Sequence, residues 1–361
     1  MIRVSWRVLF FAFSLTAIFS ITTPILQKAD ALSKDPSYEA LYDKVSRLIG
    51  SRQESEAIQI LNEIIKAKPD DLRAYALLGD LYYKRDQLPS AISAWKKILE
   101  KDPTNQNIKN LINKAEQEQR THTAFTHEST RHFTIKFEGA ENRGLYKFVL
   151  DRLEEAYGEV GRALLFYPTE EVIVFLYTNQ QFFDVTRAPS WSGGVFDGKI
   201  RIPTKGFETQ MDQLKKTLFH EYVHAVIQQM TEKGVSKKGE KINSAVPVWL
   251  HEGIAQYFEP DRGRRSGLLK LLVSQGGKTA IIPLSAMHGS FMGIGDPNVV
   301  GLAYEESLSA VQFLVERFGR FRLKMLIEDL AVKRNLDEAM QSALLTSYEE
   351  FQARWQESLE K

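Results

Sequence analysis

The 361-residue sequence contains no cysteine. That absence removes disulfides, thiolate nucleophiles, cysteine-based zinc fingers and iron–sulfur clusters. It also removes a lipid-modified cysteine as a membrane anchor. Any metal must be held by His, Asp or Glu, and histidine itself is scarce, with 7 in the chain. An excess of one charge is missing too: 47 Lys and Arg face 46 Asp and Glu, a formal net charge of +1. A dedicated nucleic-acid binder would need a basic face, so no nucleic-acid partner is expected. What remains is 43% hydrophobic and 26% charged residues, the composition of a globular protein with a sizeable core. The length suggests two or three domains.

A long uncharged run occurs at the N-terminus. Arg3 and Arg7 precede Val8 to Gln27, and Ala29-Asp30-Ala31 follows. A basic start, an apolar stretch and small residues read as an export signal. The run is also long enough to span a bilayer, which leaves an uncleaved anchor open, although Thr22, Thr23 and Pro24 weaken its second half. Residues 1–31 are therefore expected to be a signal peptide or membrane anchor. Either places the rest of the chain outside the cytoplasm, periplasmic, secreted or tethered, with membrane contact through this segment only.

Downstream, a spacing of 34 recurs. Ala57, Leu61, Ile64 and Pro69 return as Ala91, Trp95, Ile98 and Pro103, with Tyr75, Leu78, Gly79 and Tyr82 between them. This resembles the tetratricopeptide repeat, a helix–turn–helix unit. The resemblance implies an all-α module over 36–118, with a polar capping helix over 106–118 and a possible protein partner. Two copies fall short of the three or so that make such an array stable alone, so the module is expected to lean on a partner or on the next domain. Residues 119–131 are polar and aperiodic and read as a linker. His122, His127 and His132 are spaced by five, which fits neither helix face, and read as solvent-exposed.

From His132 the pattern changes to α+β, a small sheet followed by a helical subdomain, in a domain over 132–361. Strands are expected at 132–137 and 171–177, and a hairpin with an Asp-Gly turn at 193–203. A helix is expected at 142–166. After about residue 207 the pattern is helical, near 209–230, 247–259, 262–275, 303–318, 320–332, 336–344 and 347–360.

The sharpest feature is His220-Glu221-Tyr222-Val223-His224. Leu214, Leu218, Tyr222 and Val226 recur every four residues, so the motif lies in a helix. Residues four apart share a helix face, which lets both imidazoles address one ion. Glu221 lies about 100° round the helix, beside that ion, where a carboxylate can accept a proton from an attacking water. This is the HExxH zinc-hydrolase arrangement. Two histidines are an incomplete set, since catalytic zinc usually has three protein ligands. The segment Trp249-Leu250-His251-Glu252-Gly253-Ile254-Ala255-Gln256-Tyr257-Phe258-Glu259 follows Pro247, a good first-turn residue, and opens a second helix.

The two segments together resemble the gluzincin zinc metallopeptidases. The resemblance implies that Glu252 completes a zinc site with His220 and His224. His251 is the rival third ligand, but adjacent helix residues diverge, so only one can serve. Residues 283–319, with Pro283-Leu284, His288-Gly289-Ser290-Phe291, Tyr304 and Phe318-Gly319, are similar to peptidase-MA-like domains of exported bacterial proteins, which often follow tetratricopeptide repeats. Glu259, seven after Glu252, is either an outer partner of a zinc histidine, as in the aminopeptidases, or a surface carboxylate. A phenol or imidazole donor is expected beyond Glu252; Tyr304, at the opening of a helix, is the leading candidate and His288 the other. A half-buried packing role for Tyr304 stays open.

The sequence departs from the aminopeptidase branch, which carries Gly-x-Met-Glu-Asn before the metal helix; here the region reads WSGGVFDGKIRIP. The expected activity is therefore an exported zinc-dependent endopeptidase acting on peptide or protein substrates. An extended substrate is expected to add as a strand alongside Lys199–Pro203, with Ile200 and Ile202 inward and Lys199 and Arg201 outward. The lysine- and glycine-bearing stretch 231–245 is either a lid or a solvated insertion, and Arg262, Arg264 and Arg265 read as a solvated basic face. Two other classes stay in view: a non-enzymatic cell-envelope scaffold with an idle peptidase fold, and a metal-dependent hydrolase or transferase acting on a non-peptide bond.

Overall fold

The computed structural model describes residues 36–139, 143–188, 192–204, 210–231, 246–260, 266–276, 281–289, 291 and 296–360. The expected signal or anchor at 1–31, the basic cluster and all of the 231–245 stretch beyond Thr231 lie outside them. Among the described residues no helix is long and apolar enough to cross a membrane. The chain divides into two compact units, with a boundary between Phe125 and Thr126.

The first unit is helical: α1 (Pro36–Gly50), α2 (Glu54–Ala67), α3 (Leu72–Lys84), α4 (Leu88–Lys101) and α5 (Gln106–Thr121). The period of 34 has a physical basis here. Ala57, Leu61 and Ile64, and their successors Ala91, Trp95 and Ile98, are all buried in the repeat core. Gly79 is required by close approach: a Cβ there would stand 2.3 Å from Trp95 Nε1. Asp71 caps α3 by accepting from the N–H groups of Arg73 and Ala74, and Asn105 caps α5 by accepting from Ile108 N–H.

The stretch 119–131, expected as a structureless linker, is ordered instead. It holds the end of α5, a 3-10 turn at His122–Ala124 and strand β1 (Phe125–Ser129). Its aperiodic polar composition hid β1 because four of the strand's five residues are exposed, so no apolar face marks it. His132 is not simply exposed either: its Nδ1 is 2.8 Å from Glu154 and its ring stacks on Tyr157 at 3.8 Å.

The second unit is a small mixed sheet with helices. Strands β1, β2 (Phe133–Glu138), β3 (Val172–Tyr177), β4 (Val195–Phe196) and β5 (Ile200–Pro203) lie in the order β1-β2-β3-β5-β4. The β2–β3 and β3–β5 pairs are parallel and β4–β5 is antiparallel. Ile135 lies opposite Val174, and Val174 opposite Ile200, so one face presents a continuous apolar row. That face builds one core with α6 (Arg143–Leu164) and α8 (Met211–Thr231).

Strand β5 departs from expectation. It is interior, flanked by β3 and β4, so the sheet edge on this side is β4. Ile200 and Ile202 do enter the core, but Lys199 and Arg201 are buried as well. The Arg201 guanidinium is stabilised by its own hairpin: Nε donates to both Asp197 oxygens at 3.0 Å and an Nη donates to the Tyr177 hydroxyl at 2.9 Å. A charge alternating with isoleucine reads as solvent-facing because burying an unpaired charge is costly; here the partner lies across a turn.

Helix α7 (Asn179–Thr186), unmarked by any apolar period, opens on a capping box formed by Thr178 and Gln181; Thr-x-x-Gln was the sequence signal for it. The remaining helices are α9 (Val248–Tyr257), α10 (Ser266–Gly276), α11 (Pro297–Phe318), α12 (Arg320–Lys333), α13 (Leu336–Leu344) and α14 (Tyr348–Leu359). Helix α11 begins six residues before the expected start at 303, because Asp296 caps it and Pro297 occupies its first turn. Tyr304 therefore lies inside the helix instead of opening it.

On α11, Glu306 is fully buried and both its oxygens accept the Ile282 N–H, at 2.9 and 3.0 Å. Burial pushes this carboxyl up to about 8, with the Ile282 hydrogen bond opposing. A carboxyl whose folded value is raised binds its proton more tightly when folded. Its contribution is fully favourable below the unfolded value near 4.5 and is lost as pH rises toward 8. Glu306→Gln should remove that slope. Urea unfolding at pH 5 and pH 8 should show wild type losing on the order of a few kcal/mol more than the variant; equal slopes would refute it.

Candidate metal centre and active site

Helix α8 carries His220, Glu221 and His224, and every residue from 217 to 227 on it is buried. A helix buried on all sides holds its side chains rigidly. Helix α9 brings Glu252 across, and Gly253 explains how: a Cβ there would be 2.3 Å from the Ser307 carbonyl oxygen on α11. Only glycine lets the two backbones approach this closely. The same contact fixes α11, and Tyr304 with it, relative to Glu252.

The result is a convergence of donors. Ligand atoms of His220, His224 and Glu252 lie within 4.8 Å of one another, and all three residues are buried. Glu252 Oε2 is 3.2 Å from His220 Nε2 and 3.6 Å from His224 Nε2. Two ligands on bonds of about 2.0–2.1 Å at a tetrahedral angle are separated by roughly 3.3 Å, so these edges suit a zinc-sized ion. Among the described residues, both His224 nitrogens and both Glu221 oxygens are buried without a hydrogen-bond partner. Buried polar atoms are rarely left so. Three buried carboxylates, Glu221, Glu252 and Glu259, also call for positive charge. The donor set therefore fits a divalent cation.

The electrostatics agree. Burial alone opposes the His220 imidazolium, but hydrogen bonds to Glu252 and Glu259 and the charge of both raise the ring to about 10. A cation taking that place would displace the proton shared with Glu252. Burial, then His251 and His220, hold His224 well below the usual histidine range, in the neutral form that ligates metals. Burial lifts Glu221 to about 8; His220 opposes, and Glu252, Glu259 and Asp197 add to the rise.

Glu259 is no surface carboxylate: it is buried, and its Oε1 accepts from His220 Nδ1 at 2.9 Å. That bond directs the other nitrogen, Nε2, toward Glu252. His251 does not join the three donors. Its ring stacks on His224, centroids 4.4 Å apart and 8° from parallel, and burial, then His220, push it down to about 3.

Tyr304 is 2% exposed, and its ring meets Phe291 edge-on at 5.1 Å. Burial first, then the charges of Glu252 and Glu221, drive its hydroxyl well above 10, which puts it within electrostatic reach of the site. His288 is exposed and pairs with the Tyr348 hydroxyl at 3.3 Å; burial alone lowers it, with no contribution from the site carboxylates. Sequence reasoning passed over Gly194. A Cβ there would be 3.0 Å from Glu221 Cγ and 2.9 Å from Thr217 Cγ2, so the chain entering β4 forms the wall against Glu221. The two adjacent glycines before β4 were the available signal.

Comparison with curated proteins and with solved structures returned no match. Family models match in two places. One, described as a tetratricopeptide repeat, covers residues 48–115, within the first helical unit. The other covers residues 164–361, more than half of the chain, including every side chain of the centre described above. On that match, the chain belongs to the Peptidase MA superfamily.

Proposed function

We propose that the protein is an exported zinc-dependent endopeptidase. Superfamily membership suggests a peptidase, and its members are typically metallopeptidases. The observation that carries the finer reading is the convergence of His220, His224 and Glu252, with Glu221 beside them and no hydrogen-bond partner for it among the described residues. In this reading those three residues hold zinc. When bound, the ion would polarise the scissile carbonyl and acidify the attacking water. Glu221 accepts a proton from that water and passes it to the leaving amine. Glu259 keeps His220 in the tautomer and orientation that ligation requires. Tyr304 donates to the oxygen on which negative charge develops.

An endopeptidase is favoured because no amino-terminus clamp precedes His220; the corresponding stretch forms the β4–β5 hairpin. An extended substrate would pair with β4, the sheet edge, and not with interior β5. The repeats suggest a protein-interaction role. Placement outside the cytoplasm rests on the basic-then-apolar N-terminal segment.

Metal analysis of the purified protein, coupled to digestion of a peptide library, tests the reading. About one zinc at this centre and internal cleavage of peptides are expected. Cleavage confined to the first residue, or none with zinc bound, would overturn the endopeptidase assignment. Tyr304→Phe should keep zinc and slow turnover roughly a hundredfold or more, as loss of an oxyanion donor does elsewhere. Unchanged turnover in Tyr304→Phe, with His288→Ala the variant that fails, would move the role to His288.

A further inference from the structure

A second cluster of metal-ligating side chains lies inside the repeat module. Asp86, in the turn between α3 and α4, meets Glu118 and His122 at the end of α5, with one donor atom of each within 4.8 Å of the others. We propose that these three residues bind a zinc ion that fastens the last helix of the module to the α3–α4 turn.

The residue types and spacing suit a metal. Glu118 lies in the last turn of α5 and His122 caps that helix, its N–H donating to the Glu118 carbonyl, which sets the two side chains one turn apart. Two oxygens and one imidazole nitrogen suit zinc, with a fourth position left for water. Glu118 has no solvent exposure, and Asp86 brings a second carboxylate within 4.8 Å of it. Two carboxylates this close, one fully buried, are stabilised by positive charge beside them, and a divalent cation would supply it. The Tyr83 hydroxyl donates to Glu118 Oε1, the kind of outer contact that orients a ligating carboxylate.

The turn also shows how the site arose in one copy of the repeat. Asp86 has φ +57°, and its N–H donates to the Tyr83 carbonyl at 3.0 Å. One period earlier Arg52 has the same left-handed backbone, φ +63°, and donates to the Ile49 carbonyl at 3.1 Å. The turn is thus common to both copies, while the carboxylate is specific to the second, where α5 passes with its Glu and His. A two-copy module is short of the stacked neighbours that stabilise such arrays, and a metal clip is a usual device for a small fold.

The test uses the full chain carrying His220→Ala and His224→Ala, which removes the candidate catalytic site. After dialysis against zinc chloride this protein should retain close to one zinc and melt at a higher temperature than without zinc. Adding Asp86→Asn and His122→Ala should abolish both effects, and Asp86→Asn alone, in a surface turn, should suffice to weaken them without unfolding the helices. Tyr83→Phe should keep the stoichiometry while weakening affinity about ten- to a hundredfold. No zinc in the His220→Ala/His224→Ala protein would overturn the proposal and leave the cluster to be neutralised by side chains such as Lys114, whose Nζ is 5.8 Å from the Tyr83 ring. Zinc retained unchanged after Asp86→Asn and His122→Ala would overturn it equally.

Discussion

Glu221→Gln is expected to bind zinc and fold like wild type while losing hydrolysis by about a hundred- to ten-thousand-fold. The carboxylate is buried, and among the described residues neither oxygen has a hydrogen-bond partner. An amide of the same shape preserves contact with the Gly194 wall, where space is limited to about the existing side chain. It cannot accept a proton from water at neutral pH. Removing a buried, unpaired carboxylate should leave stability equal or slightly higher, which separates a chemical defect from a folding one. The comparison to make is kcat on a library-derived peptide, zinc content and melting temperature, all on one preparation. Wild-type turnover would sink the assignment of Glu221 as base.

Glu252→Ala should reduce zinc at this centre from near one equivalent to a small fraction of one, and abolish activity with it. Glu252 is the one donor of the three contributed by α9, and its Oε2 lies between the two histidines at 3.2 and 3.6 Å. Without it two neutral imidazoles remain, short of the three protein ligands that catalytic zinc usually has. The loss should also free His220: it would keep Glu259 at Nδ1 and lose the carboxylate facing Nε2. His251→Ala is the matched control, since His251 is the neighbouring residue and stacks on His224. It should retain zinc. The reverse pattern, zinc kept in Glu252→Ala and lost in His251→Ala, would transfer the third ligand to His251. Zinc is measured on the Asp86→Asn/His122→Ala background so that the repeat module does not contribute.

Local periodicity settled part of this protein from the sequence alone. His220 and His224 share a face because a helix turns every 3.6 residues, whatever surrounds it. The 34-residue spacing placed Ala57, Leu61 and Ile64 against Ala91, Trp95 and Ile98 as equivalent core positions, and all six are buried. The fold class, mostly helical with a small mixed sheet, followed from where alternating and helical patterns occur. Each of these depends on residues close together in the chain.

Tertiary structure decided the rest, because it depends on which elements touch. Strand alternation put Ile200 and Ile202 in the core but does not encode sheet order, so it could not tell that β5 is interior and β4 the edge. The burial of Arg201 turned on Asp197 and Tyr177 reaching it from a turn and from a neighbouring strand. Glu252 and His251 are adjacent on one helix, and only the packing of α9 on α8 turns the first toward the histidines and lays the second against His224. From the sequence Tyr304 is the leading candidate for the donor and His288 the other. The close α9–α11 contact at Gly253 sets the helix that bears Tyr304, whose hydroxyl feels the charges of Glu252 and Glu221, while His288 goes to Tyr348. Asp86 and Glu118 are 32 residues apart in the chain, and the stacking of α5 on the second repeat is what joins them. Periodicity says which face a side chain occupies; the partner of that face is set by the packing of the whole core.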